Sequence, residues 1–153
     1  MSTVPQGGPP PELAGSLYYL LKHAQMRLAD LTGPALAPLR INGRETAVLI
    51  AIDGQALPSQ HDIARRMGVD RTTMVGLVDE LEKKGLVERR ADPLDRRKNV
   101  VALTEAGRTT VQDATRAVAE AERRFLGPLS DEEGAALREA LRATAFAQRL
   151  NGG

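Results

Sequence analysis

The 153-residue chain has no cysteine and no tryptophan, and only two tyrosines, two phenylalanines and two histidines. Without cysteine there can be no disulfide, thiolate metal site, thiol nucleophile or thiol redox sensor. Aromatics make up 3% of the chain against 42% hydrophobic residues overall, so a core must come from Leu, Val, Ile and Ala. That composition suits helices packed on helices, and the length is about one domain's worth. Long apolar runs are missing too: stretches such as Ala47 to Ile52 fall far short of the roughly 20 residues of a membrane helix. The start "MSTVPQGGPPPE" lacks the basic-then-apolar layout of a signal peptide. A soluble cytoplasmic chain with no membrane partner is expected. His23 and His61 have no ligand-spaced His or acidic neighbour, so no metal is expected, and His61 beside Asp62 reads as helix surface rather than a catalytic dyad. With no nucleophile and base in sequence context, no Gly-rich phosphate loop and no metal cluster, neither catalytic residues nor a cofactor is expected, and the chain reads as no enzyme.

What the chain does have is concentrated charge. Its formal net charge is only +1, yet Lys83 to Lys98 holds seven basic side chains (Lys83, Lys84, Arg89, Arg90, Arg96, Arg97, Lys98) against three acidic ones (Glu88, Asp92, Asp95). Such a local excess, unlike net charge, points to an anionic partner.

Periodicity predicts a mostly α chain of about six helices with a two- or three-stranded β wing. Residues 1–11, rich in Pro and Gly, read as a disordered lead-in. A first helix over Ser16 to Thr32 carries the stripe Leu17, Leu20, Leu21, Ala24, Leu28 and Leu31, with Gly33 and Pro34 as stop signals. A second runs from about Gly43 to Ile52. A third follows Pro58-Ser59 and ends at Gly68, and Asp70 caps a fourth whose buried stripe is Met74, Leu77, Val78 and Leu81. Two short helices joined by a tight turn read as helix-turn-helix. After Gly85, "LVERRA" and "NVVALT" form a predicted hairpin with Asp92 to Lys98 at its tip. Thr104 caps a long helix with Val111, Ala114, Val118, Ala121 and Phe125 on one face, and Ser130 with Glu133 makes a capping box for a last helix to Leu150. The predicted organisation is a dimerisation helix over 12–38, a DNA-binding region over 39–104 and dimerisation helices over 105–150.

Helix-turn-helix followed by a charged hairpin is a winged helix. A helix fits the DNA major groove, and a thin hairpin reaches the minor groove, whose negative potential favours arginine. In "DPLDRR" the proline restricts the turn and Asp95 is placed to pair with the Arg97 guanidinium, bracing the tip. A solvated charged turn with accidental pairing is the plain alternative.

The stretch "HDIARRMGVDRTTMVGLVDELEKKGLVERRADPLDRRKNVVALTEAGR" resembles the MarR-type winged-helix transcriptional regulators, most specifically in "LEKKGLVERR", "DPLDRR" and "LTEAGR". The resemblance runs from about Arg44 to Gly107. It implies a homodimer joined by its first and last helices, double-stranded DNA with a pseudo-palindromic operator as partner, and release by a small aromatic or anionic effector, the chain acting as a repressor. Carried over, the base-reading helix is Arg71 to Lys84, presenting Arg71, Thr72, Thr73, Val75 and Gly76. Asp79 lies on the same outward face. Arg97 enters the minor groove, Asp95 braces it, and Arg96 and Lys98 meet the DNA backbone. Ser59 and Gln60 are placed to hold a phosphate, and an ordinary N-cap role for Ser59 is equally open. Arg89 and Arg90 read as strand-surface charges. Two departures stand out: the family often has Ser or Thr where Val75 stands and a long basic residue where Gly76 stands. Tyr18, Tyr19, His23, Met26 and Arg27 either line an effector pocket or pack a dimer interface, so no effector residue is assigned. The rival reading is a winged helix that binds only a protein partner, which would need no arginine-tipped wing.

Overall fold

The fourth predicted helix starts where its cap requires, and so do three others. In the computed structural model, which describes residues 7–147, there are seven α-helices, one 3-10 turn and a two-stranded sheet among those residues. Residue contacts divide the chain into two units, one comprising 32–119 and the other the chain up to Leu31 together with the chain from Glu120.

The 32–119 unit contains α3 (Gly43–Asp53), α4 (Gln60–Met67), α5 (Arg71–Lys83), β1 (Val87–Ala91) and β2 (Asn99–Leu103). It also holds the end of α2 (Leu17–Leu36), the 3-10 turn Ala37–Leu39 and most of α6 (Glu105–Phe125). Leu36, Val48, Leu49, Ile63, Met74, Val78 and Leu81 are wholly buried and form its core. Each helix start is chemically specified. The Asn42 side chain accepts from the Glu45 N–H at 2.9 Å while the Glu45 carboxylate accepts from the Asn42 N–H at 3.2 Å. Ser59 and Asp62 repeat this reciprocal cap on α4 at 3.0 and 3.1 Å. Gly68, at φ 66°, ends α4, and Asp70 already caps α5, so the turn between them is as short as the sequence suggests.

Two expectations are corrected here. The first long helix does not stop at Gly33-Pro34 but continues through Pro34 to Leu36. Pro34 takes one N–H out of the helix ladder, and against that loss continuing the helix places Leu36 in the core with no exposed surface. A seventh helix, the single turn α1 (Pro11–Ala14), follows the lead-in with proline at its first position.

The other unit packs α1, α2 up to Leu31, α6 from Glu120 and α7 (Asp131–Ala145). The predicted Ser130–Glu133 capping box is present. Gly134 is buried against Leu126, to which an added Cβ would come within 3.6 Å. Arg27 donates to the carbonyls of Phe125 at 2.7 Å and Arg124 at 3.3 Å, and its guanidinium lies 5.2 Å from the centroid of the Phe125 ring. A cation is thereby placed at the negative end of α6. Leu17 and Tyr18 are 75% and 81% exposed, and Leu20, Leu21 and Met26 are exposed as well. Residues 1–6 of the lead-in and 148–150 of the expected last helix lie outside the described residues. No described helix is long and apolar enough to cross a membrane.

Candidate nucleic-acid interface

The helical part of the interface is α5, held in place from its buried side. Met74, Val78 and Leu81 go into the core, and Arg71, Thr72, Thr73, Val75 and Gly76 are exposed, while Asp79, expected on the same outward face, is half-buried. Asp70 accepts both the Thr73 N–H at 2.8 Å and the Thr73 hydroxyl at 2.7 Å. These two bonds, the hydroxyl first, hold the Asp70 carboxyl below its ordinary value. Thr73 thus keeps its hydroxyl proton on the cap and offers an approaching group only its oxygen lone pairs. At Gly76 an added Cβ would meet nothing within 4 Å, so this stretch of helix presents bare backbone to whatever lies against it.

The wing is a hairpin in which Val87 pairs with Leu103, Arg89 with Val101 and Ala91 with Asn99. It has two strands. Where a third would pair, a single bond from the Val101 N–H to the Pro58 carbonyl, 2.9 Å, ties β2 to the entry of α4. The tip is closed by internal bonds. The Asp92 N–H donates to the Lys98 carbonyl at 2.8 Å and the Leu94 N–H to the Asp92 carboxylate at 2.9 Å. The Arg97 N–H donates to the Asp95 carboxylate at 3.1 Å. Asp95 therefore braces the tip, but through the Arg97 backbone rather than its guanidinium. Backbone capture two residues on is the ordinary habit of an aspartate in a turn, and it costs no side-chain entropy at the arginine. Leu94 projects from the tip at 96% exposure.

Charge pairing separates the basic residues into two groups. Arg65, Lys83, Lys84, Arg89 and Arg90 each have an acidic partner within 4 Å. Among the described residues Arg71, Arg96, Arg97 and Lys98 are in no ion pair, and all four are exposed. Ser59, Gln60, Arg71 and Lys98 line one hollow of about 640 Å³. That hollow brings together four of the predicted residues from α4, α5 and the wing base. Arg96 and Arg97 lie beyond it on the tip. Among the described residues no group of His, Cys, Asp and Glu is arranged to hold a metal.

The chain is similar to known proteins in sequence and in fold. Residues 41–98, from just before α3 to the wing tip, match the model described as MarR family. The structure of a transcriptional regulator (MarR family) from Rhodococcus sp. RHA1 is 34% identical with a TM-score of 0.75, covering 87% of this chain and 97% of that one. This chain belongs to the MarR family. CouR from Rhodococcus jostii RHA1, bound to p-coumaroyl-CoA, is 36% identical with a TM-score of 0.76 over 88% of this chain and 94% of CouR. The transcriptional repressor CouR bound to a 23-mer DNA duplex gives a TM-score of 0.84 at 32% identity, over 91% and 99%. A curated relative, the HTH-type transcriptional repressor NicR of Pseudomonas putida, is 28% identical over 106 residues, 69% of this chain and 67% of NicR.

In this MarR-family chain one residue was misjudged from sequence. Arg89 is no plain surface charge: its side chain is 26% exposed and is paired to Asp79 at 2.7 Å and Glu82 at 3.0 Å. Gln60 Oε1 also accepts from Arg89 Nε at 3.3 Å and Nη2 at 3.0 Å. Gln60 therefore keeps only its amide N–H groups for another partner. A signal was available, since consecutive strand residues face opposite sides and one of Arg89 and Arg90 had to turn toward α5.

Proposed function

We propose that the protein is a DNA-binding transcriptional repressor that binds a pseudo-palindromic operator as a homodimer. Helix α5 enters the major groove with Arg71, Thr72, Thr73, Val75 and Gly76 toward the bases, and Arg97 enters the minor groove. The observation that carries this reading is that, among the described residues, Arg71 at the start of α5 and Arg96, Arg97 and Lys98 at the wing tip are all exposed and in no ion pair. Phosphates and the minor groove are the partners such a set fits. The first N–H groups of α4 beside Ser59, with the Gln60 amide, suit a phosphate. The structure of CouR bound to a 23-mer DNA duplex supports DNA as the partner.

The exposed apolar residues of α2 support pairing with a second copy through the terminal helices, as in a two-fold homodimer. The complex of CouR with p-coumaroyl-CoA supports a small effector for this chain, aromatic or anionic in character. With short Thr, Val and Gly side chains on α5, base discrimination falls to Arg71, to methyl contacts and to groove shape.

Two wing substitutions test the reading. Arg97→Ala should weaken operator binding by about 1–3 kcal/mol and lower the salt slope by about one. Asp95→Ala removes a negative charge and should still weaken binding, because the Arg97 N–H loses its acceptor and the tip its shape. Titrations of operator DNA at several salt concentrations decide both. If Asp95→Ala binds more tightly than wild type, the brace is not what holds the wing in its binding form.

A further inference from the structure

We infer that Arg89 is a positioning residue that locks the wing to the recognition helix, and that operator selectivity depends on this lock rather than on any contact of Arg89 with DNA. The inference rests on the DNA-binding reading above and adds a residue to it.

The strand pattern starts it. Val87 is buried, and Arg89, two residues on, lies on the same face of β1, directed at α5. Helix α5 meets it with Asp79 and Glu82, one turn apart on one side of the helix. Glu82 receives Arg89 twice, through the backbone N–H at 3.2 Å and through Nη1 at 3.0 Å. Asp79 takes Nη2 at 2.7 Å, and Gln60 at the start of α4 takes Nε and Nη2. One planar guanidinium therefore joins α4, α5 and β1, with all three of its nitrogens engaged. Little donor capacity is left for a phosphate, which separates Arg89 from Arg96, Arg97 and Lys98.

Two consequences follow. The wing is a two-stranded ribbon, a form with little stiffness of its own, and its outer edge at Arg89 is held by Glu82. Without that hold, the hairpin pivots about its base, and the distance from Arg97 to the exposed face of α5 is no longer set. Specific DNA needs both contacts in register, and non-specific DNA does not. Arg89 also covers the carboxylates of Asp79 and Glu82, which would otherwise face the phosphates bare.

Geometry and charge are separable by substitution. Arg89→Lys keeps the charge but loses the fork that reaches three acceptors. Asp79→Asn with Glu82→Gln removes both acids and frees the arginine; their side chains are 48% and 44% exposed, so the fold tolerates the change. The probes are a duplex selected by the wild-type protein from a randomised library and a scrambled duplex of the same composition, titrated at fixed salt. Both variants should lose about tenfold in the ratio of selected to scrambled affinity. The double variant should at the same time bind scrambled DNA more tightly. In the free protein, amide exchange across Val87 to Ala91 should quicken in both while the α3 core is unchanged.

An Arg89→Lys protein as selective as wild type overturns the inference. So does a double variant that gains equally on both duplexes, as charge arithmetic alone requires. Lost selectivity with unchanged wing exchange would make Arg89 a direct DNA contact instead. Failure of the wild-type protein to select any duplex would remove the DNA-binding reading itself, before Arg89 is in question.

Discussion

Gly107→Ala should lower stability by about 3 kcal/mol, and the melting temperature by roughly 6–12 °C. Gly107 lies in the first turns of α6, in the "LTEAGR" stretch, where a methyl group would be built 2.0 Å from the Leu86 carbonyl oxygen and 3.0 Å from its carbon. The neighbour is backbone, so no side chain can swing away. The same carbonyl is needed where it is, because the Thr104 N–H donates to it at 3.1 Å. Thr104 is further anchored through its hydroxyl, which donates to the Gly85 carbonyl at 2.6 Å and accepts from the Gly107 N–H at 3.0 Å. The start of α6 is thus fastened to the chain just before β1, and the methyl must force the two apart. Alanine's better helix propensity, worth about 1 kcal/mol, offsets only part of this. Gly76→Ala isolates that offset: with nothing within 4 Å of the new methyl, it should raise stability by about 0.5–1 kcal/mol. Thermal unfolding of the two variants beside wild type is the check. If Gly107→Ala melts at or above wild type, the close approach of α6 to Leu86 is wrong.

Lys84→Met should cost about 2–3 kcal/mol, somewhat less than removing one partner of a fully enclosed ion pair. Glu45 is 4% exposed. Its Oε2 accepts from Lys84 Nζ at 2.6 Å while Oε1 accepts from the Asn42 N–H, and Lys84 also donates to the Arg40 carbonyl at 2.8 Å. Arg40 stands at φ 59°, a conformation unfavourable for a side-chain-bearing residue and held here by its surroundings. Taking away the lysine strands a carboxylate out of water and frees a strained turn. The Lys84 side chain is 32% exposed, which is why the loss stays below the full range. Glu45→Gln in the same chain should recover part of it, since glutamine keeps the reciprocal cap without the charge. A double-mutant cycle by chemical denaturation reads the coupling. Simply additive losses would show that the two groups do not depend on each other.

Local chemistry was legible in the sequence. Ser59, Asp70, Ser130 and Gly68 mark helix ends because a side chain or a backbone angle within a few residues decides the matter, and the Met74, Val78, Leu81 stripe identified the buried side of α5 for the same reason. What was missed is non-local. Glu45 and Lys84 meet across 39 residues, and Arg89 meets Gln60 across 29, which no spacing rule reaches. The stop at Gly33-Pro34 was overridden by a core place for Leu36 that only the packed unit reveals. With Asp95 the bracing role was legible and the atom was not, because turn residues choose backbone donors over longer side chains. The candidate site divides in the same way: its exposed residues were readable from helix and strand periodicity, while the network that holds them emerged only in three dimensions.

The carboxylates that cap helices also give the fold a direction in which acid loosens it. Asp62 is held below its ordinary pKa by the Ser59 hydroxyl and then the Ser59 N–H, Asp70 by Thr73, and Glu133 by the Ser130 N–H and then its hydroxyl. A carboxyl depressed in the folded state adds stability above its unfolded value, here 3.8 for the aspartates and 4.5 for Glu133, and that stability is lost as pH falls through the lower folded value. These carboxyls sit at the openings of α4, α5 and α7. Acidification therefore weakens these helix starts, including both halves of the helix-turn-helix.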